Sequence, residues 1–188
     1  MLYDIIYNDI SSTLNLNILE IGVNNNKNYL KLLNKGHKIT LLDLIQINNL
    51  KTKKIHYIKS DFLKYNFNKT KYDIIYSVNL FNDIYFKNNG IKFIKKCKSL
   101  LKDKGIFYHI ISINKKKETE ILNKIKKKLS NLEYNKFINN YWQNLSNNYK
   151  NKILCENLLP IRAIDLINIG VEIYFKENKY ILLKYKAE

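Results

Sequence analysis

One glycine and two aspartates carry the most informative spacing in this 188-residue chain. The run Asn17–Gly22 (NILEIG) is apolar and ends at a glycine, Asp43 closes a second apolar run about 20 residues further on, and Asp61 follows a third. Glycine adopts positive φ without steric cost and lets a ligand approach the backbone. A carboxylate accepts two hydrogen bonds at once, which is what a ribose diol requires. Asp61 offers an acceptor to an exocyclic amine, and Phe62 beside it offers an apolar ring to cover a purine. Gly22, Asp43, Asp61 and Phe62 together describe a pocket for adenosine. Glu20 lies close enough to steady the turn after Gly22 or to meet a ligand amino group. Asn79, at the tip of a fourth run, faces the position where two ligands would meet.

The other chemistry-bearing residues have plainer readings. His37, His56 and His109 show no metal-ligand spacing, so no metal site is expected. His109 alone falls within a strand-like run and is the one histidine placed to serve as a general base. Cys97 and Cys155 lie far apart with no CxxC pattern and read as ordinary buried thiols. Asp73 opens a strand and reads as structural. No residue is singled out as catalytic.

The elements that must hold these residues follow from periodicity. Asn17–Gly22, Lys38–Asp43, Ile55–Lys59, Asp73–Val78 and Ile106–Ile113 are short apolar or alternating runs, predicted as five strands. Asn28–Asn34 is predicted as a short helix closed by Gly36, and Ile91, Ile94, Cys97 and Leu101 line the face of another, with Asp103–Gly105 as the break before the fifth strand. Ile121, Ile125, Leu129 and Leu132 form one amphipathic stripe, and Phe137, Tyr141 and Leu145 a second. Ala163–Asn168 reads as a last helix, and Val171–Phe175 with Tyr180–Lys184 as a hairpin. Strands alternating with helices imply an α/β fold, a mostly parallel sheet with helices on both faces. Residues 1–188 read as a single domain with a helical insert at about 115–150.

With those elements in place, the chain resembles the class I S-adenosylmethionine-dependent methyltransferases from about Asn17 to Ile113, and again over Ala163–Lys186. The first strand of that family ends in a pattern like E/D-x-G-x-G-x-G, which stands here as Glu20-Ile21-Gly22-Val23-Asn24-Asn25-Asn26. Asn24 and Asn26 occupy the later glycine positions, and asparagine is the non-glycine residue that best tolerates the left-handed region. Asp43 resembles the family's acidic tip, Asp61 its adenine-contacting aspartate, Tyr72-Asp73 the opening of its fourth strand, and Leu100-Leu101-Lys102-Asp103-Lys104-Gly105 its leucine-rich turn. Lys27-Asn28 is similar to the Arg-Asn of small-molecule enzymes of the tellurite-resistance type. The resemblance implies a Rossmann-like, seven-stranded sheet with an antiparallel C-terminal strand. It implies S-adenosylmethionine as cofactor, held by Glu20, Gly22, Asn24, Asn26, Asp43, Asp61, Phe62 and Asn79. The insert roofs the acceptor site, which makes Tyr134, Tyr141 and Trp142 candidates for substrate contact. The implied reaction is in-line methyl transfer to a small-molecule acceptor.

Composition narrows the alternatives. The net charge is +17, but of 33 basic residues only Arg162 is arginine, and the lysines are spread along all the predicted helices. Surfaces that read bases and phosphates favour arginine for its bidentate fork, and a coding sequence rich in A and T produces the same excess of lysine and asparagine. Methylation of RNA through the lysine surface therefore stays as a second reading, and a non-catalytic scaffold that keeps the fold without the glycine loop as a third. No apolar run reaches the roughly 20 residues a membrane helix needs, and the opening MLYDIIYNDISS has two aspartates where a secretory signal is positively charged. A cytoplasmic protein with no membrane partner is expected. The acceptor and the oligomeric state are not encoded in any motif.

Overall fold

The computed structural model describes residues 2–10, 12–23, 29–46, 54–80, 89–112, 163–176 and 180–188, with single residues and short stretches between 119 and 135. The apolar runs assemble into a seven-stranded sheet of order β3-β2-β1-β4-β5-β7-β6. Strands β1 (Asn17–Ile21), β2 (Lys38–Asp43), β3 (Ile55–Lys59), β4 (Tyr72–Val78) and β5 (Leu101–Ser112) are parallel to their neighbours in the series. Strand β7 (Tyr180–Lys186) is antiparallel to β5, and β6 (Glu172–Lys176) is antiparallel to β7. The chain moves outward from β1 through β2 to β3, then returns to the far side of β1 as β4. That reversal puts the switch point of the sheet, where open α/β folds bind ligands, between β1 and β4.

Alternation along each strand divides the core into two layers. Leu19, Ile21, Ile75 and Phe107 point to the face covered by α3 (Gly90–Ser99) and α4 (Ala163–Asn168), where they meet Phe93, Ile94, Cys97 and Leu166. Ile18, Ile39, Leu41, Ile74, Tyr76 and Tyr108 point to the other face, under Ile6 and Ile10 at the end of α1 (Leu2–Asp9) and Tyr29 and Leu32 of α2 (Tyr29–Asn34). Each such side chain contributes about 1.5–3 kcal/mol when fully buried. Cys97 is a buried free thiol, as its position in the sequence suggested, and burial pushes its pKa well up; Cys155 lies outside the described residues.

Three elements differ from the sequence reading. Helix α1 has no counterpart in it. Strand β5 begins at Leu101, which pairs with Tyr72 and does not continue the helix; α3 stops at Ser99. Asp103–Gly105 is consequently an irregularity inside a strand and not a break before one: Lys104 has φ +60, and the register shifts between Tyr72 and Ile74. Only glycine fits at 105, because a Cβ there would lie 2.9 Å from the Lys102 carbonyl oxygen and 3.1 Å from that of Tyr72. Finally, the stripe ending at Leu132 is interrupted at Ser130. A helical turn restarts at Asn131–Glu133, capped by Ser130, whose N–H and hydroxyl both donate to Glu133 Oε2 at 2.9 and 2.7 Å. Leu132 is 68% exposed, as expected of a residue no longer on a core-facing stripe. The stripe Phe137–Leu145 lies outside the described residues. Among the described residues no helix is long and apolar enough to cross a membrane.

Candidate functional site

The register of the parallel strands determines which residues share the carboxyl edge of the sheet. Ile21 pairs with Leu42 on one side and with Ser77 on the other, so Gly22 falls beside Asp43 and Val78. Asp43 pairs with Lys59, and the Ser60 amide donates to the Asp43 carbonyl at 2.9 Å, which brings Asp61 to the next tip. Asp61, Asp43, Gly22 and Asn79 therefore stand in that order along one edge. Phe62 follows Asp61, while Asn24 and Asn26 of the loop after Gly22 lie outside the described residues, as do Tyr134, Tyr141 and Trp142.

Gly22 continues the β1 direction just far enough for its amide to donate to the Leu42 carbonyl at 2.9 Å, then turns with φ +73. That conformation strains any residue with a Cβ. The glycine also leaves room that a side chain would fill, since a Cβ here would come within 2.6 Å of the terminal Cδ1 of Leu80. The terminal methyl of Leu80 occupies the space beside this glycine, so a ligand reaches the Gly22 backbone only where that flexible end moves. Leu80 carried no signal in the sequence, because its contact with Gly22 depends on the left-handed turn at Asn79.

Asp43 is half-buried, and its Oδ1 accepts the Ile45 amide at 3.0 Å, an Asx turn that fixes the carboxylate at the strand tip. Asp61 forms the equivalent turn: its Oδ1 accepts the Leu63 amide at 2.8 Å and its carbonyl accepts from Lys64 and Tyr65. Both carboxylates are oriented by local backbone donors. Phe62 is 1% exposed and packs with Phe93, ring centroids 4.9 Å apart, and with Phe67 at 5.7 Å. Its ring is a core element beneath the edge, where a covering ring would have to lie above it.

Asn79 is a strand tie. At φ +56 it donates its N–H to the Ile110 carbonyl at 2.8 Å, and its Oδ1 accepts the Ser112 amide at 2.7 Å. Glu20 lies on the α1/α2 side of the sheet, 2% exposed, and accepts the Tyr76 hydroxyl at 2.5 Å from the paired position on β4. It steadies the end of β1 from below. The nearby Tyr29 hydroxyl has a raised pKa, from burial first and the Glu20 charge second.

The sequence reading missed a polar pair on the opposite side of β4 and β5. Ser77 Oγ and His109 Nδ1 share a hydrogen bond of 2.6 Å, both residues wholly buried beside Phe93. Burial drives the His109 pKa down to about 3, so the ring stays neutral. Sealed beneath α3, it has no route to exchange a proton with an acceptor molecule, which removes it as a general base. Asp73, in contrast, is structural as expected: its Oδ2 accepts the Asn17 amide at 2.7 Å and Lys102 Nζ at 2.8 Å.

These residues suit a nucleoside-bearing cofactor at the edge: a glycine with positive φ, a neighbouring carboxylate held for a diol, and a second carboxylate one strand further out. Residues 19–109 match the family model of a methyltransferase domain. No curated protein matches the chain by sequence. Among solved structures, the N-methyltransferase NodS from Bradyrhizobium japonicum is similar at 12% identity and a TM-score of 0.58, covering 98% of this chain and 92% of that one. The 1,6-didemethyltoxoflavin-N1-methyltransferase from Burkholderia thailandensis gives 9% identity and a TM-score of 0.57, covering 98% and 75%. A protein assigned as a sarcosine dimethylglycine methyltransferase from Galdieria sulphuraria gives 20% identity and a TM-score of 0.50 over 65% of this chain, and the chain spans only 53% of that protein. At these identities the structural likeness speaks for the fold alone, and the family match is confined to the stretch from β1 to β5. Residues 19–109, just under half of the chain, thus carry a match to a methyltransferase domain, within a fold shared with solved N-methyltransferases.

Proposed function

We propose that this protein transfers the methyl group of S-adenosylmethionine to a small-molecule acceptor, residues 1–188 acting as one domain with the segment at about 115–150 over the acceptor. The observation that carries the reading is the alignment of Gly22 and Asp43 on adjacent strand tips. Bound there, the cofactor supplies a sulfonium-activated methyl that needs little acid or base assistance. The chain's own contribution is then positional. Gly22 offers its backbone to close approach, Asp43 accepts from the ribose diol, and Asp61 accepts from the adenine amine. Asn79 fixes the tip of β4, where an acceptor atom must stand about 3 Å from the methyl carbon, in line with the bond that breaks. Water exclusion falls to the insert, with Tyr134, Tyr141 and Trp142 as acceptor contacts and Asn24 and Asn26 shaping the loop around the methionine end. A small acceptor is in keeping with the 1,6-didemethyltoxoflavin-N1-methyltransferase, whose structure holds 1,6-didemethyltoxoflavin and S-adenosylhomocysteine and which covers nearly the whole of this chain.

Calorimetry with S-adenosylhomocysteine tests the reading. Binding is expected, and Asp43→Ala is expected to weaken it by at least about tenfold, the loss of a charge-assisted hydrogen bond. No heat at millimolar ligand would leave a scaffold protein, and an unchanged affinity in Asp43→Ala would mean that the ribose lies elsewhere. RNA methylation predicts instead tight binding of RNA that falls steeply with salt.

A further inference from the structure

The opposite end of the sheet holds a cavity of about 450 Å³ at the amino-terminal ends of β1 to β4. Its origin is topological. Parallel strands need crossovers, and a helix in the β3–β4 crossover would cover the α3-side face of β2 and β3. Residues 60–71 form turns instead, and their buried rings, Phe62 and Phe67, join the core with Phe93. By strand alternation Lys38, Thr40 and His56 lie on that same face as Leu42 and Ile58, but nearer the amino ends, where they line the opening.

The lining has a definite chemistry. Lys38, Lys54 and His56 are all exposed at its rim, and none of the lining residues is acidic. The nearby carboxylate of Asp73, which reaches the Asn17 amide, is matched by Lys102 Nζ at 2.8 Å. The buried ring of Tyr72 supplies apolar wall, and Thr40 and Thr70 add hydroxyls to the lining. A cavity of this size falls within the range that holds a nucleotide-sized molecule. Two ammonium groups on long stems beside the ring of Tyr72 suit a ligand with phosphates at one end and a flat ring at the other.

We propose that this cavity binds a phosphorylated small molecule of nucleotide size, at the edge of the sheet opposite the methyl-donor site. ATP is the probe, titrated by calorimetry into the full chain with and without saturating S-adenosylhomocysteine. The expected result is saturable ATP binding that S-adenosylhomocysteine does not displace, with adenosine binding far more weakly. Lys38→Glu with Lys54→Glu should weaken ATP by about a hundredfold, roughly tenfold for each lost charge-assisted contact, and leave S-adenosylhomocysteine affinity unchanged. Should circular dichroism show the charge reversal unfolded, Lys38→Gln with Lys54→Gln is read by the same criterion. Absence of ATP binding, displacement by S-adenosylhomocysteine, or equal ATP affinity in wild type and double variant would overturn the proposal. So would an oligoribonucleotide that needs both lysines while ATP does not bind, which would identify an RNA contact instead.

Discussion

The two faces of the sheet are held by different chemistry. On the α3 side the dominant contacts are ring on ring: Phe93 lies 4.9 Å from Phe62 and 6.2 Å from Phe107, and Phe62, Phe67, Tyr65 and Tyr72 continue the chain of edge-to-face contacts. On the α1/α2 side, tyrosine hydroxyls reach carboxylates: Tyr76 to Glu20 on the neighbouring strand at 2.5 Å and Tyr108 to Asp9 of α1 at 2.7 Å, with Lys184 also on Asp9 at 2.9 Å. Aromatic packing is non-directional enough to accept the missing β3–β4 helix. Hydroxyl–carboxylate pairs fix distance and angle, and Glu20 of the first pair stands two residues before the turn at Gly22.

Substitutions can break that comparison. The largest effect is expected for Phe93→Ala, which empties the centre of the ring cluster and should cost about 4 kcal/mol in denaturant unfolding. A loss below about 2 kcal/mol would show the ring chain to be incidental. Next comes acid. His109 has a folded pKa of about 3, lowered by burial, against an ordinary value near 6.5. Its neutral form is therefore fully compatible with folding above that ordinary value. As pH falls below it the unfolded chain takes up a proton that the folded chain refuses, so stability should decline by roughly 1.4 kcal/mol per pH unit toward the folded pKa. His109→Gln should flatten the decline in a pH series of unfolding midpoints, and an identical slope in that variant would assign the acid sensitivity elsewhere. The smallest effect is expected on the polar face. Tyr76→Phe removes one donor to Glu20 without changing packing volume, at about 1–2 kcal/mol. It sharpens the contrast because it should also weaken S-adenosylhomocysteine more than Phe93→Ala does at equal folded fraction. The reverse order would locate cofactor support on the aromatic face.

Much of this was legible in the sequence, for physical reasons that differ by region. Buried parallel strands appear as short apolar runs, so β1 to β4 and their tips could be read directly, and Gly22 and Asp43 came with them, since parallel register at the tips follows from strand length. The start of β5 could not be read, because the residues that look like a turn, Asp103-Lys104-Gly105, are a strand irregularity accommodated by one left-handed residue and one missing Cβ. Phe62 reads as a surface ring beside an acidic tip until the absence of a β3–β4 helix is known, whereupon it is needed in the core. Tyr76 and Glu20 sit at alternate, unremarkable positions on two strands 56 residues apart, and nothing local announces their pairing. Helix α1 contributes Ile6 to the core from eight residues too short to show a clear period.

The tie at Asn79 has a mechanical consequence. Its amide and side-chain oxygen grip β5 at Ile110 and Ser112, so the places where the polypeptide leaves β4 and β5 are clamped to a common point. One asparagine thereby sets the separation of the two strand exits, beside the tip of β1 that ends at Gly22.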